Sequence, residues 1–279
     1  MLCWLGWPAN WLVRRALVTR LLKAPDIVTR STLRLLIAFA AAFLMSLSLW
    51  LMPAASSVVP ARVGAVSEVK EIGRTNSDRP ILAFRVGDPT APVKAVVMSA
   101  IHGDERGPIR IANNLIHGAP IRGVDLWVIP VVNPDGLKSR TRRNGRGVDL
   151  NRNFPTDWGR SYGQTYSGPR PASEPETRAL MAFLDEVNPQ YLVSFHQPLR
   201  GVGVADNKPP GFQRALARGL KLRLRSFNCT GVCHGTMTTW FNRNHAGVAI
   251  TVEYGRRLSR RQATRTGPNG VLRALSAWR

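Results

Sequence analysis

The sequence KAVVMSAIHGDE, residues 94–105, is the strongest indication of the fold. Apolar, partly β-branched side chains run from Ala95 to Met98, which is typical of a strand buried on both faces. His102 and Glu105 follow directly, at the place where open α/β sheets collect their ligands. An HxxE pair alone is a weak signal, because a surface turn can also hold a titratable residue at each end. Its meaning depends on what other segments bring to the same edge.

Strands and helices alternate along the rest of the chain. Three more apolar runs indicate strands at residues 124–133, 191–197 and 247–255. A helix is predicted over residues 173–187, where Ser173 caps the first turn and Glu176 completes a capping box. Weaker helical patterns cover residues 108–117, 210–220 and 269–278, and a long loop runs over residues 134–173. This alternation predicts a single three-layer α/β/α domain around a central mixed, mostly parallel sheet.

The strand ends complete a candidate metal site. His196 ends the third run and Glu253 ends the fourth. Because the carboxyl ends of parallel strands meet at one edge, we expect both beside His102 and Glu105. Two histidines and one glutamate form a hydrolytic zinc set that leaves a position for water, and a second glutamate serves as general base. The pattern therefore predicts one Zn²⁺ ion per chain.

The chain is strongly basic, with a net charge of +22. Such a charge attracts nucleic acid, anionic lipid and acidic cell-envelope polymer without choosing among them. Residues 256–279 hold seven arginines and no acid, and we interpret them as a solvated basic extension that includes a helix. The chain has no RNA-binding signature, zinc-finger spacing or helix-turn-helix pattern, so we predict no specific nucleic-acid partner.

Residues 1–55 read as a targeting segment. An uncharged run from Leu35 to Met52 is long enough for a marginal membrane span, and basic residues precede it. Small residues of the kind that a signal peptidase accepts follow it. We expect a cleaved signal peptide or a membrane anchor, then a short linker over residues 56–71. Either one places the enzyme in the periplasm, free or anchored to the inner membrane; a buried core helix is the alternative.

Two cysteines fit an exported domain. Cys229 and Cys233 are close enough in sequence for a local disulfide if a turn brings them together. Free thiols are the first alternative. A metal site that includes His234 is the second, although a second cysteine pair is missing.

The segment NPDGLKSRTRRNGRGVDLNRNFP, residues 133–155, resembles the metallocarboxypeptidase family, also called the funnelins. The order of motifs around it is similar too: HGDE, NPDG, R-x-N, GVDLNRNFP, SEPET, SFHQP and TVEYG. The resemblance covers residues 72–255, starts with a hairpin at residues 72–87, and is nearest to the bacterial murein tripeptide amidases. It implies a carboxypeptidase-like catalytic domain over these residues.

The resemblance implies a role for each matching residue of the metal site. His102, Glu105 and His196 match the zinc ligands. Asp149 matches the carboxylate that orients the first histidine. Glu253 matches the general base.

Other matching residues face the substrate. The resemblance implies that Arg142 stabilises the developing oxyanion, and that Asn151 with Arg152 grips a terminal carboxylate. Met237, in HGTMTTW, is expected near the substrate side chain. Gln197 departs from the murein amidases, which have aspartate after the second histidine.

The implied reaction is hydrolysis of the γ-D-glutamyl–diaminopimelate bond in murein tripeptide. Expected partners are therefore short muropeptide-like or other peptides with a free terminal carboxylate, the membrane through the N-terminal segment, and an anionic cell-envelope polymer. A zinc carboxypeptidase of broader specificity is the main alternative. A non-catalytic, membrane-tethered binding protein on the same fold is disfavoured, because every ligand and the base are present.

Overall fold

The computed structural model describes residues 66–227 and 234–279. The predicted signal or anchor at residues 1–55, most of the predicted linker, and the pair Cys229 and Cys233 lie outside these residues. Among the described helices, none is long and apolar enough to cross a membrane.

An eight-stranded sheet forms the centre of the fold. Its strands are β1 (Glu68–Arg74), β2 (Pro80–Arg85), β3 (Lys94–Ser99), β4 (Asp125–Ile129), β5 (Tyr191–His196), β6 (Gly201–Gly203), β7 (Leu224–Arg225) and β8 (Val248–Glu253). The order across the sheet is β1-β2-β4-β3-β5-β8-β6-β7. The central strands β4, β3, β5 and β8 are parallel, and antiparallel pairs flank them on both sides. The predicted mixed, mostly parallel sheet is confirmed.

Helices cover both faces of this sheet. The described part of the chain contains α1 (Ile109–His117), α2 (Pro134–Ser139), α3 (Pro175–Val187), α4 (Gly211–Leu220), α5 (Met237–Asn244) and α6 (Gly267–Ala274). Side chains of β3 alternate between the two layers, since Ala95 and Val97 pack with α1, α4 and α6 whereas Val96 and Met98 pack with α3 and α5. The three-layer α/β/α architecture is therefore confirmed.

Helix α3 shows how the apolar pattern becomes packing energy. Leu180, Phe183, Leu184 and Val187 share one face and are buried, as the sequence predicts. Burying each such side chain contributes about 1.5–3 kcal/mol. Together they hold α3 against the sheet and against Trp127, whose ring meets Phe183 edge-on at 5.4 Å.

The start of α3 corrects the predicted capping box. Glu174, not Ser173, occupies the N-cap position, and no side-chain hydrogen bond caps the helix. Ser173 instead donates to the Glu174 carboxylate at 2.7 Å, while Glu176 accepts from Asn144 at 3.2 Å. Pro175 begins the helix because its missing N–H would be unpaired at that position anyway.

The loop predicted over residues 134–173 is partly helical. It contains α2 and two single turns of 3₁₀-helix, Leu150–Arg152 and Gly163–Thr165. The Asn133 side chain caps α2 by accepting from the Gly136 N–H at 2.8 Å. These turns are too short to show a helical period in the sequence.

The C-terminal residues do not form a solvated tail, and this part of the prediction is wrong. Val271, Leu272 and Leu275 are buried in the same layer as α1 and α4, and Trp278 pairs with Arg122 as an isolated β-bridge. The arginines of this segment and Trp278 are exposed, whereas Val271, Leu272, Leu275 and Ala277 are buried. The arginines lie on the outer face of an amphipathic helix, and the prediction overlooked the apolar residues on its inner face.

Candidate metal centre and active-site cavity

The predicted ligands meet at the carboxyl edge of the parallel strands. Cα pairing sets His196 of β5 beside Glu253 of β8, and the loop after β3 carries His102 and Glu105. Gly103 lets this loop approach α2, since a Cβ there would lie 1.9 Å from the Gly136 carbonyl carbon. All three ligand side chains are buried. A catalytic zinc site combines three such protein donors with one open position for water.

The geometry of these donors fits zinc. One ligand atom from each of His102, Glu105 and His196 lies within 4.8 Å of the others. The two Nδ1 atoms are 3.3 Å apart. Tetrahedral zinc with Zn–N bonds of about 2.0–2.1 Å separates two nitrogen ligands by roughly 3.3 Å. The Glu105 oxygens lie 2.8 Å from His102 Nδ1 and 3.0 Å from His196 Nδ1, so three donors surround one point.

The second nitrogen of each histidine is also held. His102 Nε2 lies 3.1 Å from Asp149 Oδ1, the contact that the family resemblance implies. His196 Nε2 lies 2.9 Å from Ser194 Oγ, a contact that the sequence analysis missed. Such partners set the tautomer and the ring orientation of a metal-binding histidine. The available signal was the period of two, which puts Ser194 on the same face of β5 as His196.

Two carboxylates dominate the electric field at His102. Burial lowers the pKa of an imidazole, but Glu105 and Asp149 outweigh burial and raise the pKa of His102 to about 9. Burial would raise the pKa of both acids, yet the histidines hold the pKa of Glu105 well below its ordinary range, and His102 with Arg142 does the same for Asp149. Both acids are therefore ionised, and their field attracts a divalent cation.

Arg142 lies directly beside the ligand group. Its Nε donates to Asp149 Oδ2 at 2.8 Å, and its Nη1 lies 3.6 Å from Glu105 Oε1. A quarter of the side chain is exposed, and it lines the cavity. Asp149 thus orients both a ligand histidine and a cation that faces the substrate space.

Asn151 and Arg152 form the next part of the cavity wall. The 3₁₀ turn that carries them is capped by Asp149, which accepts from the Asn151 N–H at 3.0 Å. Asn151 Oδ1 accepts from the Met237 N–H at 2.9 Å, and Arg152 Nη1 donates to the Asn151 carbonyl at 2.8 Å. Burial lowers the pKa of the Arg152 guanidinium. A cation withdrawn from water gains when a carboxylate ligand replaces its lost solvation.

Glu253 is the last residue of β8, and its Cα pairs with that of His196 on β5. Its Oε2 accepts from the Leu199 N–H at 3.1 Å. Burial raises the pKa of its carboxyl group, against the opposing effects of His196 and the Leu199 N–H. The side chain borders the same cavity as Arg142 and Arg152.

The cavity has a volume of about 680 Å³ and is lined by the metal centre together with other polar and apolar side chains. The polar ones include Thr236, Thr238, Thr239, Thr251, Asn242, Arg243 and Asp206, and the apolar ones include Val204, Phe227 and Ile250. The structure does not place the Met237 side chain there. Met237, the first residue of α5, is 1% exposed and packs in the core between α3 and the sheet. Its neighbours Thr236 and Thr238 line the cavity.

Comparison with known proteins agrees with this geometry. The family model described as zinc carboxypeptidase, peptidase M14, matches residues 58–201. Murein peptide amidase A of Escherichia coli K12 is 32% identical over 144 residues, which are 46% of this chain and 58% of that protein. Carboxypeptidase O of Bos taurus is 30% identical over 148 residues, 41% of this chain and 40% of that protein. The matches thus span roughly half of each relative.

Solved structures show the same fold. Murein-tripeptide amidase MpaA from Escherichia coli O157 superposes with a TM-score of 0.63 at 26% identity, covering 76% of this chain and 93% of that one. Carboxypeptidase A from Helicoverpa armigera gives a TM-score of 0.63 at 19% identity, covering 76% of this chain and 69% of that one. With the family match over more than half of its residues, this chain belongs to the M14 zinc carboxypeptidase family.

Proposed function

We propose that this chain is a zinc-dependent hydrolase that cleaves the γ-D-glutamyl–diaminopimelate bond of murein tripeptide and releases diaminopimelate. The observation that carries the proposal is that one cavity is lined by the metal centre, by Asn151 and Arg152, and by further hydroxyl, amide and charged side chains. Diaminopimelate has a carboxylate beside the bond to be cut and a side chain that ends in a second amino acid centre. Its first carboxylate suits Arg152, and its far end suits those hydroxyl, amide and charged groups. The similarity to murein peptide amidase A supports the same substrate.

The metal has a defined place in this scheme. His102, Glu105 and His196 would hold zinc, which when bound supplies a Lewis acid for the carbonyl and lowers the pKa of water. Asp149 and Ser194 keep the two imidazoles in the required orientation. Neutral imidazole is the form that binds a metal, so these partners also select the useful tautomer.

Arg142 and Glu253 are the protein side chains that take part in the reaction. Glu253 accepts a proton from the attacking water as the water oxygen bonds to the carbonyl carbon, and it gives that proton to the leaving amine as the C–N bond breaks. Arg142, held by Asp149, donates hydrogen bonds to the oxygen on which negative charge develops. Removal of one such donor typically costs roughly 100- to 1,000-fold in kcat.

Two variants of the zinc-loaded full chain separate chemistry from recognition. Glu253→Gln keeps the size of the side chain but removes the base, so kcat should fall roughly 100- to 10,000-fold while zinc content and substrate affinity hold. Arg152→Ala should instead raise KM for the free acid and erase the preference over its C-terminal amide. Near-normal turnover in the Glu253 variant would exclude this mechanism.

A carboxypeptidase of broader specificity is the second candidate. The match to carboxypeptidase O favours it, and any peptide with a free terminal carboxylate could satisfy Arg152. Digestion of murein tripeptide beside ordinary peptides, followed by mass spectrometry, decides between the two. Release of diaminopimelate supports the first, whereas intact tripeptide with trimmed ordinary peptides supports the second.

We further propose that the enzyme acts outside the cytoplasm, with residues 1–55 as signal peptide or anchor. The uncharged run over residues 35–52, preceded by basic residues, supports this location. There the high positive charge would favour acidic wall fragments and anionic envelope polymer, and salt should lower kcat/KM more than kcat. Cell fractionation and the N-terminal sequence of the mature protein test the proposal; a full-length chain in the cytoplasm contradicts it.

A further inference from the structure

Gln197 follows the ligand His196, and its side chain is almost completely buried at 9% exposure. Its backbone N–H donates to Glu105 Oε2 at 3.1 Å. Its side-chain oxygen accepts from the Gly107 N–H at 2.9 Å. Its side-chain nitrogen donates to the carbonyls of Gly255 at 2.6 Å and Arg256 at 3.1 Å. One residue therefore bonds to two other segments of the chain.

Those segments carry the working residues of the site. Gly107 lies two positions after the metal ligand Glu105, and Gly255 lies two positions after Glu253. Gln197 itself adjoins His196. The amide thus ties together the ends of three separate elements, at sequence distances of 90 and 58 residues.

Only a neutral amide satisfies this arrangement. The Gly107 N–H needs one acceptor, and the carbonyls of Gly255 and Arg256 need one N–H donor each. Glutamine has both in one planar group, whereas a carboxylate would place an oxygen against two carbonyl oxygens. A shorter side chain cannot reach all three groups, and an alanine would leave the Gly107 N–H and the two carbonyls without these partners.

The backbone near Gly107 is built around this side chain. A Cβ at Gly107 would lie 2.8 Å from the Gln197 side-chain oxygen and 3.0 Å from its nitrogen. The close approach leaves no room for another residue at position 107 without a shift of the amide. Packing and hydrogen bonding therefore specify the same position for Gln197.

We propose that Gln197 is a positioning residue, which sets the distance between the metal ligands and Glu253. It does so through the backbone on either side, and it takes no part in proton transfer. Zinc affinity and turnover then both depend on it, whichever peptide is the substrate. The proposal rests on the zinc site and stands apart from the choice of murein tripeptide.

Gln190 offers a matched control at the opposite end of β5. It precedes Tyr191 as Gln197 follows His196, and its side chain also bridges neighbouring backbone. Its oxygen accepts from the Lys94 N–H at 2.7 Å and its nitrogen donates to the Pro92 carbonyl at 3.3 Å. It has the same side-chain chemistry but is exposed, and it lies at the edge of the sheet away from the metal centre.

The test compares Gln197→Ala, Gln197→Glu and Gln190→Ala in the full chain. Zinc dissociation constants come from competition with a chelator, and kcat and KM are then measured at saturating zinc. Both Gln197 variants should bind zinc roughly 10- to 100-fold more weakly. Their kcat at saturating zinc should fall by up to about 100-fold, since a displacement of about 1 Å can cost that much, while KM changes little.

Gln190→Ala should lower thermal stability yet leave the zinc dissociation constant and kcat unchanged. Gln197→Glu keeps the length and one acceptor, so it serves as the test if the alanine variant does not fold. An unchanged zinc affinity and kcat in a folded Gln197 variant overturns the proposal. An equal loss of zinc affinity in Gln190→Ala overturns it too, because general stability would then explain the effect.

Discussion

Replacing Asp149 by asparagine tests how much of the metal site depends on one buried charge. The carboxylate is fully buried and contacts His102 Nε2 at 3.1 Å, Arg142 Nε at 2.8 Å and the Asn151 N–H at 3.0 Å. Asparagine keeps the shape, but its NH₂ group must face either His102 or Arg142. If its oxygen stays with His102 and Asn151, two donors oppose each other at Arg142.

The contacts set the expected magnitudes. Loss of a partner that orients a metal-binding histidine weakens metal binding roughly 10- to 100-fold, which equals about 1.4–2.8 kcal/mol. Breaking a buried ion pair costs about 3–5 kcal/mol of unfolding free energy. Because the Arg142 side chain is 25% exposed and water can partly replace its partner, we expect the lower end of that range.

Asp125→Asn is the matched control. Asp125 bonds to Arg85 through two contacts of 2.8 Å, and the exposures of the pair, 24% and 2%, nearly equal the 25% and 0% of Arg142 and Asp149. Urea unfolding of the metal-free proteins should show similar losses for both variants. Chelator competition should show weaker zinc binding for Asp149→Asn alone. Equal zinc affinity in the two variants would refute the argument.

Three further predictions concern the fold. Gly103→Ala should lower both stability and zinc affinity because its Cβ would lie 1.9 Å from a backbone carbon of Gly136, whereas Gly211→Ala meets open space and should leave zinc titrations and urea midpoints nearly unchanged. Burial raises the pKa of Glu176 above its ordinary value of 4.5, so the native state retains that proton more strongly than the unfolded chain. The stability that the Glu176 proton contributes is therefore lost as the pH rises above 4.5, and the advantage of Glu176→Gln in urea unfolding should grow from pH 4 to pH 7; a constant difference contradicts this sign. Leu180→Ala, at a position with no exposure, should cost about 2–5 kcal/mol in the same assay.

The layers, the sheet and the edge where the site lies follow from the sequence. Buried strands show as continuous apolar runs and amphipathic helices as a 3.6-residue repeat, so β3, β5, β8 and α3 were predictable. Since parallel strands end at one edge, His102, His196 and Glu253 were expected together before any distance was known. The roles of Arg142, Asn151 and Arg152 come from the family resemblance and remain predictions for the variants above.

The side chains that complete the site depend on tertiary contacts and could not be predicted from the local sequence. Met237 and Thr238 are neighbours, yet the first packs in the core and the second faces the cavity, because the first turn of α5 is oriented by its contact with Asn151. The partners of Gln197 and the burial of the C-terminal helix likewise join residues far apart in the chain. Such contacts depend on the order of the strands and on the paths of the loops, which the local sequence pattern does not specify. The local pattern specifies only the strands and helices that these contacts bring together.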